Sequence, residues 1–185
     1  MSKTNGAPDP HLKERACGAH VVKLLTDLGY AERNGTFRNP DPNRMVIFLG
    51  DIIDRGPDQL GSIDIVRRMM DAGTAHCLMG NHEHAAIGWL LPDPSIPGEY
   101  MRVHSEKNFR QHRVFLDQIG SDPTVRKDVQ AWMETLPLYL DLPGIRCVHA
   151  CWHPEIIDKL RRLTSDRHAP WAGSLRQLPP GKRDA

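Results

Sequence analysis

Three short apolar runs in this chain stop abruptly on residues able to bind a metal or move a proton. Arg44–Leu49 ends at Gly50-Asp51, Thr74–Met79 ends at Gly80-Asn81-His82, and Ile145–Val148 ends at His149. Helical patterns separate them. Such alternation argues for a layered α/β fold with a partly parallel sheet. In sheets of that kind, functional groups gather on loops beyond the carboxyl ends of the strands. The pattern therefore predicts that Asp51, Asn81 and His149 meet.

The remaining segments fill in the alternation. Ala19, Val22, Leu25 and Leu28 recur at helical spacing and predict an amphipathic helix over 17–29. Asn34-Gly35, at the centre of Tyr30–Arg38, is a strong hairpin signal. Pro57-Asp58 opens a helical pattern through Leu60, Ile63, Val66, Met69 and Met70, stopped by Gly73. Helices are expected over Glu83–Leu91, Val103–Ile119 and Thr124–Thr135, with a Pro-rich loop over Pro92–Tyr100. Pro143-Gly144 joins a second hairpin, and Pro154–Leu163 reads as a last helix. Residues 1–16 are expected to be irregular, 17–164 to form one domain, and 165–185 to be a polar, loosely ordered tail.

Composition narrows the partners. A formal net charge of +1 over 185 residues implies no sequence-wide attraction to nucleic acid or to an anionic membrane. The longest purely apolar run, Met45–Leu49, falls far short of the roughly 20 residues of a membrane span. Met1–Pro10 has no apolar core resembling a secretion signal, so the cytoplasm is the expected address. Cys17, Cys77, Cys147 and Cys151 form no C-x-x-C pair and are expected to be buried free thiols.

The first motif is Gly50-Asp51-Ile52-Ile53-Asp54-Arg55-Gly56-Pro57. Two carboxylates three apart in a glycine-bounded loop, beside an arginine, suit a hard cation and a phosphate together. Read alone it is more simply a capped turn, with Asp58 starting a helix. The second motif is Gly80-Asn81-His82-Glu83. Asn81 offers a neutral oxygen ligand, and His82 can give a proton to a leaving alkoxide at neutral pH. Read alone, Asn81 is equally a helix cap.

In this order and context the pair G-D-x-x-D-R-G-P and G-N-H-E resembles the signature of the calcineurin-like metallophosphoesterases, among them phosphoprotein phosphatases and symmetrical diadenosine-tetraphosphatases. Cys147-Val148-His149-Ala150 resembles the family's third element, a hairpin strand ending in a metal-binding histidine. The resemblance covers roughly residues 17–165. It implies an α/β/β/α sandwich, incomplete at both ends, that hydrolyses phosphate esters by a metal-activated hydroxide. It further implies that Asp51 bridges two metals, that Asn81 and His149 bind the second, and that His82 is the general acid, oriented by Asp54. Arg55, with Asn81, would hold the phosphate. The implied metals are Mn, Fe or Mg, two in the family and one here. The implied substrate is a phosphorylated protein, a small phosphate ester or a dinucleotide.

Two elements of the family pattern are missing from the sequence. Its opening G-D-x-H-G would fall near residues 12–16, where Leu12-Lys13-Glu14-Arg15-Ala16 stands, and Asp9-Pro10-His11 has only the D-x-H spacing. No Gly-His follows His149, and His153 and His168 do not supply one. The alternative expectation is an inactive phosphate- or nucleotide-binding module.

Overall fold

The computed structural model describes residues 18–163. Leu12–Ala16, Asp9, His11, Cys17 and His168 lie outside them, as does the tail from residue 165. The described elements, in chain order, are α1 (Gly18–Asp27), β1 (Ala31–Arg33), β2 (Thr36–Arg38), β3 (Val46–Phe48), α2 (Gln59–Asp71) and β4 (Ala75–Cys77), followed by α3 (Asn81–Leu90), α4 (Glu106–Ile119), α5 (Pro123–Glu134), β5 (Tyr139–Leu142), β6 (Ile145–Val148) and α6 (Pro154–Leu163). The fold is mixed α/β, as the alternation predicts.

The centre is the unit β3–α2–β4. Its strands pair in parallel, Val46 with Ala75, Ile47 with His76 and Phe48 with Cys77, and α2 makes the crossover that parallel neighbours need. Asp58 caps α2 by accepting the Gly61 amide at 2.8 Å, so the capped-turn reading of that residue holds. The helix ends in a left-handed Gly73, with Gly73 N–H to Met70 and Thr74 N–H to Met69, which turns the chain straight into β4.

α2 has two apolar sides. Ile63 and Val66 join the main core with Ile53, Met79, Ile87, Phe115, Ile119 and Met133. Ile65 and Met69 join a second cluster with Leu25, Tyr30 and Phe37, which fastens α1 and the β1–β2 hairpin. That hairpin turns at Asn34 and Gly35, with φ of 52° and 76°, the pair of positive values a two-residue hairpin turn asks for. In α1 only Leu25 of the four periodic residues is fully buried, and Leu28 is exposed. The helix stops at Asp27, so Leu28 falls in the turn rather than on the buried face.

The antiparallel β5–β6 hairpin packs through Leu140 and Cys147 onto Leu78, just past β4. Met79 N–H donates to the Pro137 carbonyl at 2.9 Å, tying the hairpin's lead-in to the strand end that starts the second motif. That contact carries His149 toward Asn81. Two cysteines match the buried expectation, Cys77 and Cys147, but Cys151 is exposed, because it follows the hairpin rather than lying within it.

Candidate functional site

The two glycine loops touch backbone to backbone. A Cβ on Gly50, whose φ is 90°, would sit 2.4 Å from the Gly80 nitrogen, and one on Gly80 would sit 2.4 Å from the Asp51 nitrogen. Only glycine at both positions permits that approach. Asp51 and Asp54 take positive φ values of 56° and 67°, a conformation that short polar residues tolerate better than others.

Glu83 holds this loop in place. Its side chain is buried, and its carboxylate accepts the amides of Asp51 (2.8 Å), Gly80 (2.9 Å), Ile52 (2.7 Å) and Ile53 (3.2 Å). α3 accordingly starts earlier than expected, with Gly80 as the cap and Asn81 as its first residue. The cap reading of Asn81 is thereby overturned: Glu83 satisfies the Gly80 amide, and the Asn81 side chain is released to face the site.

Three residues expected to be metal ligands do come together. His149 Nε2 lies 3.0 Å from Asn81 Oδ1 and 3.5 Å from Asp51 Oδ1. His149 Nδ1 lies 2.6 Å from the Leu49 carbonyl, which can only accept, so Nδ1 carries a proton and donates. In neutral His149 the Nε2 lone pair then faces a carboxylate oxygen and an amide oxygen. Three electron-pair donors converge with no proton among them, an arrangement that fits a cation of the oxygen-and-imidazole class. Among the described residues no group of three His, Cys, Asp or Glu side chains has metal-holding geometry. The amide oxygen of Asn81 makes the third donor here.

The other side of the site is a buried relay. His82 Nδ1 lies 2.7 Å from Asp54 Oδ2, and its Nε2 lies 3.9 Å from Asp51 Oδ2. The carboxylate accepts from Nδ1, which leaves Nε2 directed to the Asp51 side. Asp54 is itself anchored, its amide donating to Gln59 Oε1 at 2.8 Å. Arg55 is exposed, and among the described residues its guanidinium has no hydrogen bond or ion pair. Further along α3, burial pushes the His84 imidazole below its ordinary pKa, with Arg102 adding to the effect.

Two residues of the site were not picked out as such from sequence. Glu83 was visible as the last letter of G-N-H-E, but its role needs four amides from two loops. His112, fully buried on α4, lies 2.7 Å from Asp54 Oδ2 and has no local sequence signal beyond its place on the apolar stripe with Phe115 and Ile119. A surface recess lined by Asp141, Leu142, Pro143 and Arg161 contains none of these residues. Converging chemistry marks the site.

The calcineurin-like phosphoesterase family model matches residues 9–179. The chain belongs to that family. Curated relatives described as bis(5'-nucleosyl)-tetraphosphatase PrpE, asymmetrical, include that of Oceanobacillus iheyensis, 39% identical over 80% of this chain and 57% of its own length. Those of Geobacillus sp. and Bacillus subtilis are 28% and 26% identical, over 72% and 81% of this chain and 52% and 59% of their own lengths. This calcineurin-like chain thus spans a little over half the length of the relatives it matches. The relatives carry the asymmetrical description, where the motifs alone had suggested phosphoprotein phosphatases and the symmetrical type. The family as a whole uses divalent metal ions.

Proposed function

We propose that this chain hydrolyses phosphoric anhydride or ester bonds of a small nucleotide-type substrate, with one divalent ion, Mn, Fe or Mg, held by Asp51, Asn81 and His149. The observation that carries this reading is the convergence of those three side chains beside a histidine whose far nitrogen is tied to a buried carboxylate. The names of the relatives favour a dinucleoside polyphosphate over a phosphoprotein as substrate. Among the described residues no helix is long and apolar enough to cross a membrane, in keeping with a cytoplasmic enzyme that acts on small molecules.

A divalent ion at this site supplies Lewis-acid stabilisation of phosphoryl oxygens and makes a bound water more acidic. The protein's own residues do the rest. Asp54 holds His82 with Nε2 turned toward the reacting group, so that the imidazolium can pass its Nε2 proton to the leaving oxygen as the P–O bond breaks. Asp54 stabilises the positive charge that His82 carries before the transfer. Arg55, exposed and without an ion pair among the described residues, would grip the phosphoryl group bidentately. Asn81 supports the same phosphate through its amide.

Metal content of the purified chain, wild type against Asp51→Asn and His149→Ala, tests the assignment. One ion per chain is expected in the wild type, with affinity reduced about 10–100-fold or more in each variant, since each loses a direct ligand and outer partners alone cost that much. Two ions would place further ligands outside residues 18–163. Equal metal content in all three proteins would remove Asp51 and His149 from the site. Turnover of a bis(nucleosyl) tetraphosphate should fall with metal content; binding without turnover by the wild type would favour the inactive binding module.

A further inference from the structure

One carboxylate oxygen in this molecule serves two imidazoles. Asp54 Oδ2 lies 2.7 Å from His82 Nδ1 and 2.7 Å from His112 Nδ1. The Asp54 side chain is 1% exposed and that of His112 0%. His82 makes a well-formed hydrogen bond to the shared oxygen. His112 Nδ1 lies at the same distance, yet neither of its ring nitrogens, nor Asp54 Oδ1, has a well-formed hydrogen bond among the described residues. A wholly buried polar ring left in this condition calls for a reason beyond packing.

The surroundings show that the placement is built. α4, which carries His112, is tied to the loop that carries Asp54 by Gln118. Its Oε1 accepts the amides of Gln59 and Leu60 at 2.8 and 3.1 Å, and its amide nitrogen donates to the Pro57 carbonyl. Gln59 in turn accepts the Asp54 amide through its side chain at 2.8 Å. One chain of contacts therefore sets both the backbone of Asp54 and the helix behind its carboxylate. Trp89 closes the space on another side, its ring at 61° to that of His112 with centroids 6.4 Å apart.

We propose that His112 is a positioning residue: it holds the Asp54 carboxylate from behind, so that Asp54 holds His82 in one tautomer and one orientation. The proposal rests on the reading of His82 as a proton donor, but not on turnover by this chain. A carboxylate bonded only to His82 could rotate about its own axis and let the imidazole follow. A second imidazole nitrogen close against the same oxygen, fixed to a different helix, restricts that freedom. Proton transfer is sensitive to such freedom, because the donor must lie within hydrogen-bond reach of the leaving oxygen. The proton itself stays on His82 until it passes to the substrate, and His112 exchanges none.

The test reads the ring-nitrogen shifts of His82 in the full, metal-free chain with 15N-labelled histidine, comparing wild type with H112F, H112L and H112N. The first two variants remove the donor and keep an apolar side chain on the α4 stripe; Asn returns an N–H near the position of Nδ1. Wild-type His82 is expected in a single tautomer, with the proton on Nδ1. In H112F and H112L the tautomer ratio should shift by about tenfold toward Nε2, the scale of one net hydrogen bond, and H112N should restore it. An unchanged His82 in whichever apolar variant folds would overturn the proposal. Unfolding of both would overturn it too, by making His112 a residue of the fold. In turnover, H112F should lower kcat for phenyl phosphate about tenfold at unchanged KM, the lower end for loss of an outer partner. It should leave 2,4-dinitrophenyl phosphate, whose leaving oxygen needs no proton, unaffected. If the wild type hydrolyses neither ester nor a bis(nucleosyl) tetraphosphate, the phosphoesterase reading fails, while the tautomer comparison still decides the role of His112.

Discussion

On one side of the α3 N-terminus, His82, Asp54 and His112 form a line that dries inward, their side chains 15%, 1% and 0% exposed. On the other, Asp51 and His149 keep 21% and 24% of their side chains in solvent. Both sides rest on the same two loops and the same helix start. A proton donor works only in one orientation, and a low-dielectric surrounding keeps water from competing for its partner. A metal ligand must be reached by an ion and must shed water to bind it, so the open side is the one that can be loaded. Order on the open side comes from contacts behind the proposed ligands, the Leu49 carbonyl on His149 and the Glu83 carboxylate under Asp51.

The largest expected effect abolishes the difference between the sides. Glu83→Ala strips the acceptor from four backbone amides at once. An unsatisfied buried donor costs about 1–3 kcal/mol, so a loss of about 4 kcal/mol or more in unfolding free energy is expected, even with some water entering. Denaturant melts and metal titration on the variant check it. If the variant bound metal normally while losing stability, Glu83 would belong to the fold alone.

The second effect separates the sides. His82→Ala should lower kcat by about 10²–10⁴-fold on a substrate with a poor leaving group, with metal content unchanged. Asp51→Asn should lose metal and leave His82 bonded to Asp54. Activity of His82→Ala protein equal to wild type on an aryl phosphate would dissolve the contrast, by showing that the dry line is not used.

The smallest effect lies away from both. Arg67 on α2 and Asp128 on α5 pair at 2.5 Å, and that hydrogen bond holds the Asp128 carboxyl below its ordinary pKa of 3.8. A carboxyl depressed in the folded state adds stability that is complete above the ordinary value and lost as the pH falls below it, through the lowered one. The pair is largely exposed, so Asp128→Asn should cost less than about 1 kcal/mol at neutral pH and progressively less as the pH falls below 3.8, with salt reducing the difference. Thermal melts at neutral pH and below that value measure it. A change in metal affinity or turnover in that variant would mean that the α2–α5 contact reaches the site.

Much of this site is legible in the sequence. The spacing of Asp51, Asp54 and His82, the glycines before them and the hairpin ending at His149 carry the family likeness, and the strands they follow were visible as short apolar runs. Asn81 was ambiguous, because a first-turn asparagine and a capping one look alike in sequence. Glu83 removed the ambiguity by capping the helix through its own carboxylate. Cys151 departs from the buried expectation because burial depends on which element a residue falls beside, and it lies beyond the end of the β5–β6 hairpin.

By itself the sequence determined the alternation of strand and helix, the turn at Asn34-Gly35, the two glycine loops and the kinds of donor they carry. These are local matters of side-chain period, backbone freedom and functional group, and each is decided within a few residues. Only the tertiary structure decided that Glu83 gathers amides from both loops, that Asn81 turns its oxygen to His149, 68 residues away, and that His112 stands behind Asp54. Those contacts join segments that no local preference relates. They exist because the main core brings α4 against α2, and because the β5–β6 hairpin packs on Leu78.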